Sequence, residues 1–476
     1  MQKRTDASDI FALCAEKFHI TERAAAGFFM VLKKQGVHSD DLVVRLQEMA
    51  IHYKEILERF EGFKCYFPEV EELREKAGQA IAVGEFYHAE QSLLLARENA
   101  QAVISDLKEH NTQPVAVLKE WQVSETEICT NLAMLYLLQY HYSDAVQFFQ
   151  AAAAALPEER KEEQVSCLCQ AGSILWDMDR YSEALSLYEQ ALFIAREIRD
   201  HNREARLLRE IGVLCLEQGN NDQAMEYLEQ CLDICENIDC KEAGALALEN
   251  IASIYNTKKE YAKALEYLEQ SLSILREMGE KESESKVLNN IGAVYQAQGE
   301  FPSALEYFEQ SLALSRENED VETESEELNN IIQVYRAQGD YDTALKYSEQ
   351  DLALMRDCGE EQQECVVLNN IGMIYSAKED HSTALKYHEQ SLEKAEKLGA
   401  EELEASIRAN IAWIYVTQDK PAKAEPYLSR AVEIAEELEQ PDLEDWRGAL
   451  KEVRIELQKQ SSLIGRMLRF IRRKET

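Results

Sequence analysis

One 40-residue pattern recurs along most of this chain without a change of phase, and it constrains the fold more than any other feature. A fixed period of this size is typical of solenoids, in which each repeat packs only on its neighbours. Ile291 marks one core position of this pattern. Its equivalents are Ile211, Ile251, Ile331, Ile371 and Ile411, and Leu132 and Ala171 extend the series toward the N-terminus.

Within one copy, two apolar stripes separated by a glycine predict a pair of antiparallel helices. From Leu288 to Tyr295, apolar or small residues fall at i, i+3, i+4 and i+7, which is one face of a helix. Gly299 interrupts this helix, and Ala304–Leu312 then resumes the helical periodicity. The fold is therefore predicted to be all-α.

Small residues mark the places where the two helices of a pair must approach closely, since a larger side chain there would push them apart. In the sixth copy Ile332 replaces a glycine, so that junction is expected to be splayed or differently packed. One alanine position is shared by all eight copies: Ala145, Ala184, Ala224, Ala264, Ala304, Ala344, Ala384 and Ala424. The glycine position holds Gly172, Gly212, Gly292 and Gly372, with Ala133, Ala252 and Ala412 as near equivalents.

These residues resemble the tetratricopeptide repeat (TPR), whose pattern is Leu-Gly-x-x-Tyr, then Gly-x-Tyr, an alanine and an aromatic residue. The resemblance covers Glu127 to about Gln440 and implies a right-handed superhelical solenoid of helix-turn-helix repeats. The 40-residue unit looks more like kinesin light chains, Pins-type adaptors and bacterial TPR arrays than the standard 34-residue repeat. The pattern stands here as Ile291-Gly292, Tyr295, Gly299, Phe301, Ala304 and Phe308, with Leu288 at the family's usual tryptophan.

The repeats divide the chain into four predicted regions. Residues 1–70 are expected to form a helical leader that either caps the solenoid or acts as a separate recruitment domain. Its predicted helices are Ile10–Lys17, Thr21–Lys34 and Asp40–Phe60, with Thr21 and Ser39 as N-caps. The other regions are a degenerate repeat and linker at 71–126, eight repeats at 127–440, and a capping helix with a basic amphipathic tail at 441–476.

The charge balance is strongly acidic, with 89 Asp and Glu against 51 Lys and Arg and a formal net charge of −38. Such a surface repels phosphate backbones, so nucleic acid is not expected as a partner. Eleven cysteines lie scattered through predicted helices, which indicates a reducing, cytoplasmic location. No apolar run reaches the length of a transmembrane helix.

Acidic runs fall between repeats, and two interpretations of them stay open. They either bind a basic partner or form a solvated edge that keeps an extended solenoid in solution. The longest run comprises Asp320, Glu322, Glu324, Glu326 and Glu327, and a second comprises Glu360, Glu361 and Glu364.

The C-terminal segment is basic, in contrast to the rest of the chain. It is predicted to cap the solenoid, to dock on the protein's own acidic groove, or to lie on an anionic membrane surface. Contact with a membrane or partner is assigned to Arg466, Arg469, Phe470, Arg472 and Arg473.

No catalytic motif is evident in the sequence, and no enzymatic activity, cofactor or metal is expected. Cys231 and Cys235 are close in sequence, but Cys231 falls at a packed position of a second helix and is expected to be a core thiol. His388 occupies the place of Phe308 and is expected to be a packed or half-exposed core residue.

One polar position recurs immediately before the core isoleucine, and the TPR resemblance implies that it faces the concave groove. Two interpretations stay open: the amides bind the backbone of an extended peptide, or they bond to a neighbouring helix. Arg336 and Trp413 are added as specificity residues, Trp413 being a candidate aromatic anchor. The asparagines are Asn131, Asn250, Asn290, Asn330, Asn370 and Asn410, with Asn289, Asn329 and Asn369 preceding three of them.

The sequence therefore predicts a non-enzymatic scaffold or adaptor that binds a peptide segment or partner protein in the TPR groove. Two alternatives remain: a peptide-sensing regulatory subunit whose superhelix changes shape, and a membrane-surface adaptor using the basic tail. Basic residues are sparse at the groove positions, which disfavours the carboxylate-clamp subclass that holds chaperone C-termini.

Overall fold

The computed structural model describes residues 15, 20–35, 42–62, 67–110, 115–438 and 442–474. Across these residues the chain forms 21 α-helices and one short 3-10 helix, Glu158–Arg160, and no strand. The prediction of an all-α repeat fold is confirmed. The chain divides into two compact units, Met1–Ile274 and Leu275–Thr476, each of which is described by itself below.

The first unit begins with two helices that precede the repeats. From the third helix onward, helices come in antiparallel pairs, and we call the odd-numbered member of each pair its first helix. The helices are α1 (Glu22–Gln35), α2 (Leu42–Gly62), α3 (Pro68–Ala82), α4 (Phe86–His110), α5 (Val115–Leu138), α6 (Tyr142–Ala155), α7 (Lys161–Asp177), α8 (Tyr181–Glu197), α9 (His201–Glu217), α10 (Asn221–Ile238), α11 (Lys241–Thr257) and α12 (Tyr261–Met278), of which the last contains the unit boundary.

The second unit continues the same alternation and ends in one long helix. Leu450 and Val453 of that last helix are buried in one cluster with Leu428 and Val432 of the helix before it. The helices are α13 (Lys281–Gln298), α14 (Phe301–Asn318), α15 (Val321–Gln338), α16 (Tyr341–Cys358), α17 (Glu361–Ala377), α18 (His381–Leu398), α19 (Glu401–Thr417), α20 (Pro421–Glu437) and α21 (Leu443–Lys474).

The predicted break at Gly299 is confirmed, and its cause is backbone geometry. Gly299 has φ +79°, and its amide donates to the carbonyl of Gln296 while the amide of Glu300 donates to Tyr295. Glycine reaches this left-handed conformation without steric cost, which ends the helix and turns the chain. Other first helices end in the same conformation with Asp179, Lys259, Glu379 or Asp419, at a cost of roughly 1–2 kcal/mol each.

The close approach predicted from small residues is also confirmed. All eight alanines of the shared position are fully buried. A Cβ atom added to Gly292 would lie 2.6 Å from the ring of Phe308, and one added to Gly372 would lie 2.7 Å from the ring of His388. The glycine therefore makes room for a large side chain from the second helix of the same pair.

The junction at Ile332 is differently packed, and α15 and α16 also approach each other less closely than the helices of the pairs α13–α14 and α17–α18, as expected for a splayed pair. Ile332 is buried, and at the place of Phe308 and His388 this copy has the small residue Ser348, which is also buried. The large and small partners have exchanged helices, so the volume between them is filled from the opposite side.

Replacing Gly292 by alanine is expected to lower the free energy of unfolding by about 1–3 kcal/mol, because the new methyl group overlaps the Phe308 ring. The matched control is Gly448→Ala on α21, where nothing lies within 4 Å of the new Cβ. That change should stabilise the helix by roughly 0.5–1 kcal/mol. Thermal unfolding followed by circular dichroism measures both, and equal effects of the two variants would contradict the steric argument.

The helices predicted as Thr21–Lys34 and Asp40–Phe60 are observed as α1 and α2. Thr21 caps α1, since its Oγ1 accepts a hydrogen bond of 3.1 Å from the amide of Ala24. Phe28 is buried with its ring centroid 5.5 Å from Tyr53 and 6.0 Å from Phe86 of α4, so α1 and α2 share their core with the first repeats. The predicted helix at residues 10–17, except the helical residue 15, and the predicted cap at residue 39 lie outside the described residues.

The 320–327 run is only partly an acidic edge, since Glu322 and Glu326 are exposed but Glu327 is not. Asp320 caps α15 by accepting a 3.1 Å hydrogen bond from the amide of Thr323. Glu324 pairs with Arg316 at 2.6 Å, and Glu327 is fully buried. The other three acids of the run therefore serve helix capping, an ion pair and the core of the second unit.

Candidate functional site

The candidate site of the second unit is the first-helix face, which we define as the solvent side of α13, α15, α17 and α19. Helix α13 contacts α15, and α17 contacts α19, so the first helices lie next to each other in these two pairs of successive repeats. Their isoleucines, such as Ile331 and Ile371, are buried toward the second helices. A residue immediately before each isoleucine is rotated by one helical step and reaches the first-helix face.

Asparagines on this face form two amide pairs between successive repeats. Asn330 Nδ2 donates to Asn289 Oδ1 at 2.9 Å, and Asn410 Nδ2 donates to Asn369 Oδ1 at 3.2 Å. This geometry matches the interpretation in which the amides bond to a neighbouring helix. A carboxamide offers two N–H donors and an oxygen with two lone pairs, so one bond uses only part of its capacity.

Three further amides of this face carry no such bond. Asn290 is exposed, and Asn329 and Asn370 are half-buried. Among the residues that the structure describes, no side chain or backbone group is hydrogen-bonded to these three carboxamides. Their donors and acceptors are therefore available to a ligand.

Two predicted site residues do not reach solvent, and their assignment to partner binding is corrected. Asn131 is 1% exposed, and its Oδ1 accepts no hydrogen bond from any described residue. Asn369 is 7% exposed, and its Oδ1 also bonds to His388 Nδ1 at 2.8 Å. Burial lowers the pKa of His388 to about 4, so this neutral ring is a packed core residue that donates from Nδ1.

The burial of Asn131 has a local cause in the first unit. Helix α2 packs across α5, where Arg59 Nη2 pairs with Glu127 at 3.2 Å, one helical turn before Asn131. Near the end of α5, the hydroxyl of Tyr140 donates to the Arg45 carbonyl at 3.1 Å. The predicted site residue Asn250 lies on α11, away from this contact, and is half-buried.

Arg336 is a half-buried cation of the first-helix face. Its Nη1 donates to Gln333 Oε1 at 3.2 Å, and no carboxylate of the described residues forms an ion pair with it. Burial lowers the pKa of Arg336, yet a guanidinium stays charged in proteins. The uncompensated charge favours a carbonyl or carboxylate oxygen as a ligand.

Trp413 lies at the edge of a cavity at the C-terminal end of the second unit. The cavity has a volume of about 690 Å³ and is bounded by α19, α20 and α21. The Trp413 side chain is 64% exposed, which is unusual for a large aromatic residue. Asn410 lines the same cavity, so the cavity is continuous with the first-helix face.

Helix α21 forms part of the cavity wall, which the sequence analysis does not predict. The sequence nevertheless contains a pattern that indicates this wall. Trp446, Leu450, Val453 and Leu457 follow helical spacing and pack on α20. Ile455 falls off this stripe and is 43% exposed at the cavity. An isolated apolar residue outside a helix's core stripe is the signal that marks such a wall.

The remaining predicted contacts involve the basic tail and the cysteines. The backbone of the tail continues α21, but the side chains of Arg466, Arg469, Phe470, Arg472 and Arg473 lie outside the described residues. Within the described ranges, no helix combines the length and apolar character needed to span a membrane. Cys231 is fully buried with its Sγ 3.9 Å from Cys235 Sγ, and the described residues contain no cluster of ligands suited to a metal ion.

Comparison with protein families gives a match over more than half of the chain. A family model described as the tetratricopeptide repeat matches residues 165–237, 245–317, 325–397 and 363–437. A search of curated protein sequences found no significant match.

Solved structures with the same type of fold include a signal transduction ATPase with numerous domains and a tetratricopeptide repeat sensor, from Pyrococcus horikoshii. It is 14% identical with a TM-score of 0.50, and the match covers 94% of this chain and 74% of that one. The quorum sensor NprR from B. thuringiensis is 12% identical with a TM-score of 0.48, over 76% and 99% of the two chains. A Rap protein complexed with Competence and Sporulation Factor is 16% identical with a TM-score of 0.41, over 82% and 99%.

Proposed function

The chain belongs to the tetratricopeptide repeat family, and we propose that it is a non-enzymatic adaptor or scaffold that binds a peptide segment of a partner protein on the first-helix face of its second unit. In line with the cysteine usage of the sequence, we propose that it acts in the cytoplasm.

The observation that carries this proposal is the set of unbonded carboxamides at Asn290, Asn329 and Asn370. An extended peptide presents one N–H and one C=O per residue, and a carboxamide can pair with either group. Asn330 adds its second N–H, since only one is used by Asn289. Backbone pairing of this kind holds a peptide in register without selecting its side chains.

Two other residues supply the side-chain selection in this proposal. Arg336 offers a charged donor to a carbonyl or carboxylate oxygen of the partner. Trp413 offers a large apolar surface, and tryptophan is among the residues that most often dominate interface energies.

The test is simultaneous replacement of Asn290, Asn330 and Asn370 by alanine, followed by affinity capture from a lysate of the source cells and mass spectrometry. We expect capture of the partner to be abolished, because the peptide backbone loses its hydrogen-bond partners. Helicity at 222 nm should be unchanged, since the Asn330–Asn289 bond contributes only about 1 kcal/mol.

The matched control replaces three exposed asparagines off this face, Asn202, Asn220 and Asn318, by alanine. This control should retain full capture. Retained capture by the first variant, or equal loss in both, would show that the first-helix face does not bind the partner.

A further inference from the structure

The cavity between α19, α20 and α21 combines an apolar floor with an exposed aromatic rim. Leu428 and Val453 are buried beneath it, while Trp413 and Ile455 stand at its opening. Its volume of about 690 Å³ falls within the range of ligand pockets. An apolar side chain that entered here would gain about 25 cal/mol for each Å² removed from water.

The polar lining of the same cavity is predominantly negative. Four carboxylates line it against one ammonium group, that of Lys459. Glu456 is paired with Lys459 at 3.1 Å. No described Lys, Arg or His forms an ion pair with the other three carboxylates, which belong to Asp419, Asp445 and Glu452.

These two properties together define the chemistry of an occupant. Three uncompensated carboxylates around an apolar opening repel an acidic segment and attract a basic one. The exposed Trp413 ring can contact an aliphatic or aromatic side chain, and its face also attracts a cation. An occupant that satisfies the whole cavity carries an apolar side chain with Lys or Arg next to it.

We propose that this cavity is the anchor pocket for a partner peptide in which a large apolar side chain is flanked by basic residues. The proposal rests on the proposed function, because Asn410 belongs both to the cavity lining and to the first-helix face. Asn410 bonds to Asn369 of α17, so the cavity lies beside the asparagines of α17.

The experiment uses the full chain and three fluorescein-labelled synthetic peptides of equal length in a Gly-Ser frame. The first carries Leu-Trp flanked by lysines, the second carries Leu-Trp flanked by glutamates, and the third carries Ser-Ser flanked by lysines. Fluorescence anisotropy in low-salt buffer should show the first peptide binding at least about 10-fold more tightly than the others, which corresponds to about 1.4 kcal/mol.

Two variants test whether this preference arises in the cavity. Trp413→Ala should weaken binding of the first peptide about 10-fold or more, as for an aromatic anchor. Asp445→Lys combined with Glu452→Lys should reverse the charge preference in favour of the glutamate peptide. Both sites are exposed, so folding should be retained.

The outcomes separate this inference from the function proposed above. The variant lacking Asn290, Asn330 and Asn370 should still prefer the first peptide, so failure of the amide face alone leaves this preference intact. Equal binding of all three peptides, or a preference that survives charge reversal, overturns the anchor pocket. Self-association of the chain that Trp413→Ala abolishes, measured by light scattering, also overturns it, because the occupant is then a second copy.

Discussion

Replacing Asp351 by serine is expected to stabilise the second unit at neutral pH by about 3 kcal/mol, because it removes a buried carboxylate that has no basic partner. Asp351 is 4% exposed, and its Oδ1 accepts a 2.7 Å hydrogen bond from the hydroxyl of Ser325. No described Lys, Arg or His is paired with it. Equivalent positions in neighbouring repeats hold Ser311 and Ser391, so serine fits this site.

The effect should depend on pH in a defined direction. Burial raises the pKa of Asp351 to about 6, with a smaller contribution from the nearby charge of Glu324. Below about pH 4 the Asp351 carboxyl group is protonated in both the folded and the unfolded chain, so Asp351→Ser has no stability advantage over the natural chain there. As the pH rises from about 4 to about 6, the unfolded chain releases the proton first, so the stability of the natural chain falls. Above this window the advantage of Asp351→Ser is complete.

Hydrogen exchange followed by mass spectrometry measures this locally, since repeat arrays open in parts rather than as a whole. Peptides covering 321–358 should exchange more slowly in the variant at pH 7, and peptides covering 201–238 serve as an internal reference. Asp357→Ser is the matched control, because Asp357 is exposed on the same helix and should change stability by less than about 0.5 kcal/mol. A pH-independent difference would show that the Asp351 carboxyl does not titrate as described.

The helices and their close contacts were predictable because they follow from periodicity. The repeated alanine and glycine positions each correspond to a packing constraint that recurs in every copy, so phase alone identifies them. The same phase placed Asn290, Asn330 and Asn370 on the first-helix face. It also placed Asn131 there, wrongly, because the burial of Asn131 depends on α2.

The contact between α2 and α5 joins a helix that precedes the repeats to a helix of the first regular repeat. It pairs Arg59 with Glu127, which are far apart in the sequence. Periodicity carries no information about such a contact. The buried acids are a different case, because the acidic composition of a segment does not show which of its residues face the core, whereas their position in the repeat does. Glu327 lies in an acidic stretch of sequence, but its equivalents Val287, Val367 and Ile407 are all apolar and buried, so its position in the repeat indicates a core residue.

Glu327 lies in a cluster of three serines that joins two repeats of the second unit. Its Oε1 bonds to the hydroxyls of Ser311 and Ser285, the latter at 2.9 Å, and its Oε2 bonds to that of Ser315 at 2.5 Å. Ser311 Oγ also donates to the Ser285 carbonyl at 2.7 Å, as Ser391 does to Cys365.

The Ser311 hydroxyl lies within hydrogen-bonding distance of both the Ser285 carbonyl and the Glu327 carboxyl group, and its single proton serves one of these two acceptors at a time. Burial raises the pKa of Glu327, and the hydrogen bonds from the three serine hydroxyls oppose this shift because they stabilise the carboxylate. As with Asp351, the folded state binds the carboxyl proton more tightly, so the contribution of Glu327 to stability decreases as the pH rises.

Comparison with other repeats shows what the cluster replaces. Where this copy has Glu327, neighbouring copies have valine or isoleucine, and where it has Ser315, they have Leu275 and Met355. The long carboxylic acid and the small serine thus fill the volume that a small and a large apolar residue fill elsewhere. The two positions should be energetically coupled.

We expect each single change toward the neighbouring repeats to destabilise the second unit. Glu327→Val leaves a void and removes the partner of Ser315, for a loss of roughly 1–3 kcal/mol. Ser315→Leu removes a donor to the acid and inserts a large side chain against it, with a similar loss of about 1–3 kcal/mol. The double variant restores apolar packing and should equal or exceed the natural chain, since well-packed apolar residues often replace buried polar clusters at no cost.

Hydrogen exchange of peptides covering 281–338 is measured in the natural chain, the two single variants and the double variant. The four stabilities together give the coupling energy between Glu327 and Ser315. A coupling of about 2 kcal/mol or more is expected at pH 7, because both losses disappear in the double variant. At pH values well below 4.5 the acid is protonated in both folded and unfolded chains, so the advantage of the double variant over the natural chain should shrink. Additive losses in the double variant would contradict the argument, because they would mean that Glu327 and Ser315 do not share one volume and one hydrogen-bond cluster.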